Sequence, residues 1–355
     1  MKIAVFWPNW IGDAVMATPA VRALSERFPR APILHVLKPY IGGVLEGAPW
    51  GREMVLFDPR GPRNQRFWSV VSRLRREHVE LALLFPNSFR SALVAWLGNC
   101  RRRIGYSRYG RSCLLTDRFE PVRDERGRLI ASPVLDAYNR LVQHLGCTPS
   151  HRMELFTTPH DEATADNVWR QADLARGDAV VCLNPGGAFG TAKHWPTEYF
   201  ARLARDIVDG LGCKVLILCG PSERKTAQTI VSRSGSLSVH SLADCKPSLG
   251  LTKACVRRCD LLITTDSGPR HFAAAFNRPV ITLFGPTHMA WTETYYAKAV
   301  HIQKQVECGP CQQRVCPLDH RCMKLLTPAE VYGAAAAMLG QYGRQVRDSR
   351  RRAAG

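Results

Sequence analysis

Asp266, Ser267, Gly268 and His271 stand together directly after an apolar run, Leu261 to Ile263, that Thr264 and Thr265 continue. Such a run suits a buried strand. Asp266-Ser267-Gly268-Pro269 breaks it. Ser267 reads as an N-cap and Pro269 as a first-turn residue of the helix that Phe272 to Ala275 then form. A strand whose small-residue turn opens a helix aims backbone N–H groups at one spot. That spot attracts phosphate, by ~0.3–1 kcal/mol per exposed charge. Asp266 adds an acceptor and His271 a switchable donor. The competing reading is an ordinary strand–helix connection with a capping serine.

Two further strand ends in the second half carry related chemistry. Ala179 to Leu183 reads as a strand, and Asn184-Pro185-Gly186-Gly187 is a glycine turn directly after it. The loop runs on through Thr191 to Lys193, a phosphate ligand by type and position. It is not the phosphate loop of nucleotide hydrolases, because the GxxxxGK[ST] spacing is missing. The strand Lys214 to Cys219 ends in Gly220-Pro221-Ser222-Glu223, where Glu223 can accept hydrogen bonds from a ribose diol or simply be a surface carboxylate.

In the first half, Asp13 sits in the loop Pro8 to Asp13 after a strand Lys2 to Trp7. It is either a helix-capping residue or a general base. Thr18-Pro19 already resembles a cap and first-turn proline for the helix bearing Val21, Leu24 and Phe28. Between Pro86 and Thr116, Arg90, Arg101, Arg102, Arg103, Arg108 and Arg111 gather around Asn87 and Ser88. The planar arginine fork suits phosphate and carboxylate, and Asn87-Ser88 again follows a strand end. An anion site is favoured here over a solvated basic face.

These side chains need a scaffold that ends its strands on one edge. Strands at Leu34 to Leu37 and Leu81 to Phe85 alternate with helices near Phe67 to Arg76 and Ser91 to Leu97, and the alternation resumes after a polar helix, Asp161 to Leu174, that leads to Arg176-Gly177-Asp178. Phe200, Leu203, Ala204, Ile207, Val208 and Leu211 form a core-facing stripe. Pro279 to Phe284 is a late strand with Gly285-Pro286-Thr287 as its turn. Alternation predicts α/β domains with parallel sheets covered on both faces. The expected boundaries are 1–165 and 166–343, with a last helix from Pro328 through Met338 and a basic disordered tail over 344–355. Two such halves without GxGxxG favour a nucleotide-sugar transferase over a dehydrogenase.

The 355-residue chain has a formal net charge of +19, from 49 Lys+Arg against 30 Asp+Glu, which favours an anionic partner. No RNA-recognition or zinc-finger signature points to nucleic acid, so none is expected. No apolar run approaches a membrane span, and MKIAVFWPNW is no signal peptide. A cytoplasmic location with its 13 cysteines mostly reduced is expected. Cys308, Cys311, Cys316 and Cys322 cluster with His320. The C-x2-C opening resembles a metal knuckle, but the other spacings are irregular for zinc. A compact loop packing small thiols is the favoured reading.

Together these motifs resemble the ADP-heptose:lipopolysaccharide heptosyltransferases, most closely the heptosyltransferase II branch. The resemblance rests on Gly12-Asp13 with Thr18-Pro19, the PNSFRSAL segment, Asn184-Pro185-Gly186, Lys193 with Trp195-Pro196, Asp266-Ser267-Gly268-Pro269 with His271, Phe284-Gly285-Pro286-Thr287 and the Cys308 to Cys322 cluster. It covers the chain to about Met338. It implies a GT-B architecture of two Rossmann-like doubly wound domains facing across a cleft, the last helix packing back on the first. It implies an inverting, metal-independent transferase without a cofactor, moving heptose from ADP-L-glycero-D-manno-heptose to the inner-core heptose/Kdo region of lipopolysaccharide. The acceptor would be a lipid A–Kdo–heptose at the cytoplasmic face of the inner membrane, with the enzyme peripheral; the oligomeric state stays open.

On that pattern Asp13 is the general base and Lys193 neutralises the diphosphate. Gly186, Thr191, Glu223, Asp266, Ser267, Gly268 and His271 bind the donor, Glu223 at the ribose and Asp266 at the heptose hydroxyls. Asn87, Ser88, Arg90, Arg103 and Arg111 are the expected acceptor ligands. The chain departs from the family where hydroxyl residues often precede the loop lysine, having Ala188-Phe189-Gly190 and only Thr191, and in placing Arg270 between Pro269 and His271. Those departures leave two alternatives standing: a related transferase with another donor or acceptor, and a silent nucleotide-sugar binder.

Overall fold

The computed structural model describes residues 1–51, 53–174 and 177–352, the side chains of 344–352 excepted. The described residues form two units. Unit 1 comprises Met1–Phe156 with Ala290–Tyr295, and unit 2 comprises Thr157–Met289 with Tyr296–Gly355. The expected boundary at 165 falls too late, for a physical reason. The helix Pro159–Gln171 opens with a capping box between Thr158 and Asp161 and lies against the helix Leu249–Arg258 of unit 2. Glu162 pairs with Arg257 and Arg258 at 2.6 Å each, and Asp166 with Arg258 at 2.8 Å. Arg176 lies outside the described residues.

Unit 1 holds six strands: β1 (Ile3–Phe6), β2 (Ile33–Leu37), β3 (Glu53–Leu56), β4 (Leu81–Leu84), β5 (Arg102–Tyr106) and β6 (Asp117–Phe119). They pair in the order β3-β2-β1-β4-β5-β6, all parallel. Unit 2 holds β7 (Val180–Asn184), β8 (Lys214–Ile217), β9 (Val239–Ser241), β10 (Leu261–Thr265), β11 (Val280–Phe284) and β12 (Ala299–Gln303). Their order, β12-β11-β10-β7-β8-β9, is the same winding read from the opposite edge, again parallel. Each unit is thus a doubly wound sheet. Its strand order reverses between β1 and β4 in unit 1 and between β7 and β10 in unit 2, the points where such sheets take ligands at the strands' carboxyl ends.

Continuous apolar runs make the central strands. Every residue of β1, β4, β7, β10 and β11 is buried, as helices on both faces require. In unit 2 the helix Thr197–Leu211 contributes Phe200, Leu203, Ala204 and Ile207 to a core shared with Val331, Ala335 and Met338 of the last helix. In unit 1 Ala4, Phe6, Val36, Leu74, Leu84 and Val94 are part of the core.

Other expectations are corrected. Thr18 is not a cap: Ala17 keeps helical dihedrals, so the helices Ile11–Met16 and Thr18–Arg27 adjoin. The Thr18 hydroxyl instead donates back to the Val15 carbonyl at 2.7 Å and accepts from the Glu154 amide at 2.9 Å. The last helix runs Pro328–Arg352, past Met338 and through most of the expected tail. Glycines at 333, 340 and 343 lie within it, each costing about 1 kcal/mol, among mostly good helix formers. Residues 353–355 of that tail lie outside the described residues.

A buried titratable group of unit 1 lies on β2, next to the switch strand β1. His35 on β2 is fully buried. Its Nδ1 accepts from Trp7 Nε1 at 2.9 Å, so its Nε2 donates to the Trp50 carbonyl at 2.7 Å. Indole N–H only donates, so this pair of bonds requires the neutral ring. Burial lowers its pKa from 6.5 to about 4, against the raising effect of the Trp50 hydrogen bond. The unfolded chain therefore takes up a proton below about pH 6.5 that the folded chain refuses until about pH 4, and stability falls with pH across that window. Denaturant midpoints of unit 1 measured between pH 7 and 4 are expected to drop less steeply for His35→Gln, which keeps both hydrogen bonds and has no proton to take up.

Candidate functional site

At the carboxyl edge of unit 1 the chain leaves β1 through the buried Trp7, which stacks on Trp50 at 5.9 Å between ring centroids. The loop then turns into the helix Ile11–Met16, with a half-buried Asp13 in its first turn. Acidic residues favour that position electrostatically. Asp13 also lies close enough to Tyr138 that its charge adds to burial in raising that phenol well above its ordinary pKa. Beside this edge is a cavity of about 350 Å3, floored by Phe6, Trp7 and Phe57 and rimmed by Lys38, Ser88 and Arg90.

The arginine-rich segment divides by position. Ser88 caps the helix Phe89–Leu97, its hydroxyl accepting from the Ser91 amide, and Arg90 is exposed on the first turn. Arg111 is fully buried. Its guanidinium donates to the carbonyls of Tyr106 (2.9 Å) and Pro86 and to Asn87 Oδ1 (3.0 Å). Burial, then the charge of Arg108, lower its pKa to about 10, which leaves it charged at neutral pH. Arg111 thus ties Asn87 into the wall of the strand-end loop. Arg103 is on β5 opposite Ala82, back from the carboxyl edge, and donates to the Leu114, Cys100 and Arg101 carbonyls. The hydrogen-bonding capacity of Arg103 and Arg111 is thus taken up by the fold, while the exposed Arg90 and the half-buried Lys38 line the cavity at this edge.

Unit 2 brings its expected residues together more tightly. Asn184, paired with Thr264 in register, donates through Nδ2 to Thr264 Oγ1 and Ser267 Oγ at 2.9 Å each and to the Gly186 carbonyl at 3.2 Å. Thr265 Oγ1 donates to the same carbonyl at 3.0 Å. The turns after β7 and β10 are therefore latched to each other. Ser267 occupies the N-cap position of the helix Gly268–Ala275, but its hydroxyl is engaged by this latch and makes no capping bond. That corrects the cap assignment. It also leaves the helix's first turn without a side-chain cap at the switch point.

Lys193 ends the short turn Thr191–Lys193, whose first residue is exposed. Lys193 itself is buried. Its Nζ donates to Asp266 Oδ2 at 2.5 Å and to the Asp266 carbonyl at 3.0 Å. Thr287 Oγ1 donates to the same Oδ2 at 2.7 Å, and Arg270 Nη1 is 3.5 Å from Oδ1. Burial alone would raise the Asp266 carboxyl. The charges of Lys193 and Arg270, with the hydrogen bonds from Lys193 and Thr287, hold it below its ordinary value instead. Arg270 is buried over the Phe284 ring and bonds His301 at 3.1 Å. His271, expected as a switchable donor, is held neutral: burial first, then the Arg270 charge, push it well below 6.5.

Glu223 folds against two glycines. It accepts from the Gly220 amide at 2.8 Å and from Ser222 Oγ at 2.8 Å, and a Cβ on Gly186 would meet its Cγ at 2.6 Å. Gly186 is what admits the Glu223 carboxylate to the β7 turn. The four clustered cysteines, Cys308, Cys311, Cys316 and Cys322, line one small cavity with His320, Ala192 and Pro286. Burial and the neighbouring thiols raise Cys322. Among the described residues no group of three or more His, Cys, Asp or Glu side chains is placed to hold a metal ion, and no helix is long and apolar enough to cross a membrane.

Sequence reasoning missed Thr287 as a partner of Asp266. It stood in a recognised strand-end turn, and that position was the available signal. Lys38 had no signal beyond following a strand.

The chain aligns over 349 residues, at 26% identity, with a lipooligosaccharide heptosyltransferase 2 of Campylobacter jejuni, covering 93% of this chain and 97% of that one. The solved structure of Escherichia coli ADP-heptose lipopolysaccharide heptosyltransferase II matches with a TM-score of 0.77 and 26% identity over 96% of this chain and 99% of that one. A glycosyltransferase family 9 structure from Veillonella parvula shares the fold at a TM-score of 0.81 with 22% identity over 96% and 97%. Residues 67–321 match the family model described as "Glycosyltransferase family 9 (heptosyltransferase)", and with this latched pair of strand-end turns the chain belongs to that family of glycosyltransferases.

Proposed function

We propose that the protein transfers heptose from ADP-L-glycero-D-manno-heptose to the inner-core heptose/Kdo region of lipopolysaccharide, with inversion. The observation that carries this reading is the buried Lys193–Asp266 pair beside an uncapped helix N-terminus at the β7/β10 switch point. A preformed cation and backbone amides at such an edge suit a diphosphate leaving group.

The chemistry divides between the units. In unit 2 Glu223 takes the ribose, Lys193 and the Gly268 amide take the diphosphate, and Asp266 orients Lys193 and reaches the heptose hydroxyls. Gly186, Thr191, Ser267 and His271 line the same donor site. In unit 1 the cavity beside Ser88 and Arg90 takes the acidic acceptor, with Lys38 adding charge. Asn87, Arg103 and Arg111 support that acceptor site.

Asp13 receives the acceptor hydroxyl's proton while its oxygen bonds to the anomeric carbon. The bond to the β-phosphate oxygen breaks, and ADP leaves with the electron pair. A carboxylate is a weak base beside an alkoxide, so it assists late, as the hydroxyl becomes acidic in a loose transition state. Such assistance contributes ~10²–10⁴ in rate. The net charge of +19 suits a peripheral position on an anionic membrane face, where the amphiphilic acceptor resides.

The direct test incubates purified protein with ADP-heptose and a heptose-bearing truncated lipid A acceptor and follows ADP release. Release supports the reading; binding of donor with no release, on an acceptor that an authentic heptosyltransferase uses, rejects it. Asp13→Asn is expected to lower kcat by roughly 10²–10⁴ while leaving ADP affinity unchanged by calorimetry.

Gly190 offers a separate handle on the donor half. Its φ is +155°, and a Cβ there would lie 2.2 Å from the Arg314 carbonyl oxygen. Gly190→Ala must shift the turn that carries Lys193, and a rise in donor KM of roughly tenfold or more is expected. Because the side chains and amides neutralise the leaving group in this scheme, excess EDTA is expected to leave the rate of ADP release unchanged.

A further inference from the structure

The donor half of the site is short of positive charge. Lys193 and Arg270 contribute two positive charges, and Asp266, bonded to the first and beside the second, removes one. The Glu223 carboxylate folds onto the neighbouring Gly186 turn and offsets what remains. A nucleotide sugar brings two negative charges on its diphosphate, and the departing nucleoside diphosphate gains a third. In a partly dry site that mismatch is costly.

A further positive charge stands close by, on an unexpected segment, the cysteine loop. Arg314 lies between Cys311 and Cys316, and its backbone is docked on the turn that carries Lys193. Its carbonyl accepts from the Ala192 amide at 3.0 Å, and its Cα lies 3.0 Å from where a Gly190 Cβ would stand. The loop is fastened on either side of it. The Gln312 amide donates to the Pro286 carbonyl at 2.8 Å, and His320 Nε2 donates to the Ala192 carbonyl at 2.7 Å. The Arg314 side chain is exposed, and its Cζ is 5.8 Å from the centroid of the Phe189 ring. Lys193 Nζ is 4.5 Å from the centroid of that same ring. One aromatic side chain therefore gathers two cations, one buried and tied to Asp266, the other open to solvent.

We propose that Arg314 is a second cation of the donor site and binds the diphosphate of the nucleotide sugar beside Lys193. This rests on the donor-site reading above. Arg314's planar fork can bond two phosphate oxygens at once. The four-cysteine loop then has a role in the chemistry: it carries this arginine to the glycine turn. The backbone carbonyl fixes where the residue sits, so replacing the side chain leaves the docking of the loop intact. That separates a ligand from a structural prop.

Titration calorimetry of wild type, Arg314→Ala and Arg314→Lys with ADP is the test, with thermal melts of each as the check on folding. Arg314→Ala is expected to weaken ADP roughly tenfold and Arg314→Lys by less, at unchanged melting temperature. Added salt is expected to weaken ADP binding less steeply in the Ala variant than in wild type. In turnover the loss is expected in donor KM. Equal ADP affinity in wild type and Arg314→Ala overturns the assignment alone. An equal loss in the Ala and Lys variants with lowered melting temperatures overturns it too, in favour of a packing role. No ADP binding by wild type overturns the donor-site reading and this assignment with it.

Discussion

The buried pair of Lys193 and Asp266 sets the terms for unit 2. Taking both charges out of water costs several kcal/mol per ion, which their attraction alone does not reliably return. The surroundings make the arrangement tolerable. Thr287 satisfies one carboxylate oxygen together with Lys193, Arg270 approaches the other, and the Asp266 carbonyl accepts a second bond from the ammonium. Apolar residues of similar volume would serve stability as well at this edge. Retaining ions there makes sense if one of them is to be lent to a ligand. In the proposed donor site, Arg270 and Thr287 would still hold Asp266 if Lys193 turned toward a phosphate, so no lone buried carboxylate would be left behind.

That pair is positioned by topology before it is positioned by contacts. In each unit the order of strands reverses between the two central ones, so the turns after them part and leave a crevice. In unit 2 Asn184 spans the two turns and commits the Ser267 hydroxyl to the latch. The helix Gly268–Ala275 is thereby left without the serine cap its sequence offers. A residue of the right type for local stability is drawn into a tertiary bond, and the helix end becomes available to an anion. Unit 1 uses its switch point differently. There the buried Arg111 gathers the loop carbonyls and Asn87, and the groups left at the surface, Ser88, Arg90 and Lys38, face the cavity.

The parts of this design that were legible in the chain are those governed by local pattern. The central strands are apolar on both faces, so Leu81–Leu84, Leu261–Thr265 and Val280–Phe284 stand out within a residue of their observed ends. The turns after them, with Lys193 and Asp266, follow from strand ends and glycines. The edge strands do not announce themselves: β3 is partly exposed and β9 and β12 are only half-covered or short. β5 begins with two arginines and reads as a basic loop, yet Arg102 is paired to Asp117 of the neighbouring β6. Thr18 and Ser267 were misjudged for different reasons. Ala17 keeps the helical path, so the Thr18 hydroxyl bonds back to Val15 and receives the distant Glu154 amide, whereas the Ser267 hydroxyl is taken by Asn184 from the neighbouring turn.

The arginine content teaches a related point about inference from charge. A surplus of 19 positive charges invites a search for one anionic surface, but the individual arginines are spent in different ways. Arg257 and Arg258 bind the helix Pro159–Gln171 to unit 2, Arg103 and Arg111 replace absent backbone partners inside unit 1, and Arg270 balances Asp266. Each of these has partners that fix its fork and hold it in the fold. What remains for a ligand is the arginine whose backbone is anchored and whose guanidinium is not consumed by carbonyls or carboxylates. Arg90, on the first turn of a capped helix, and Arg314, on the docked cysteine loop, both meet that description. Net charge predicts the sign of the partner; the geometry of anchorage decides which charges are still free to meet it.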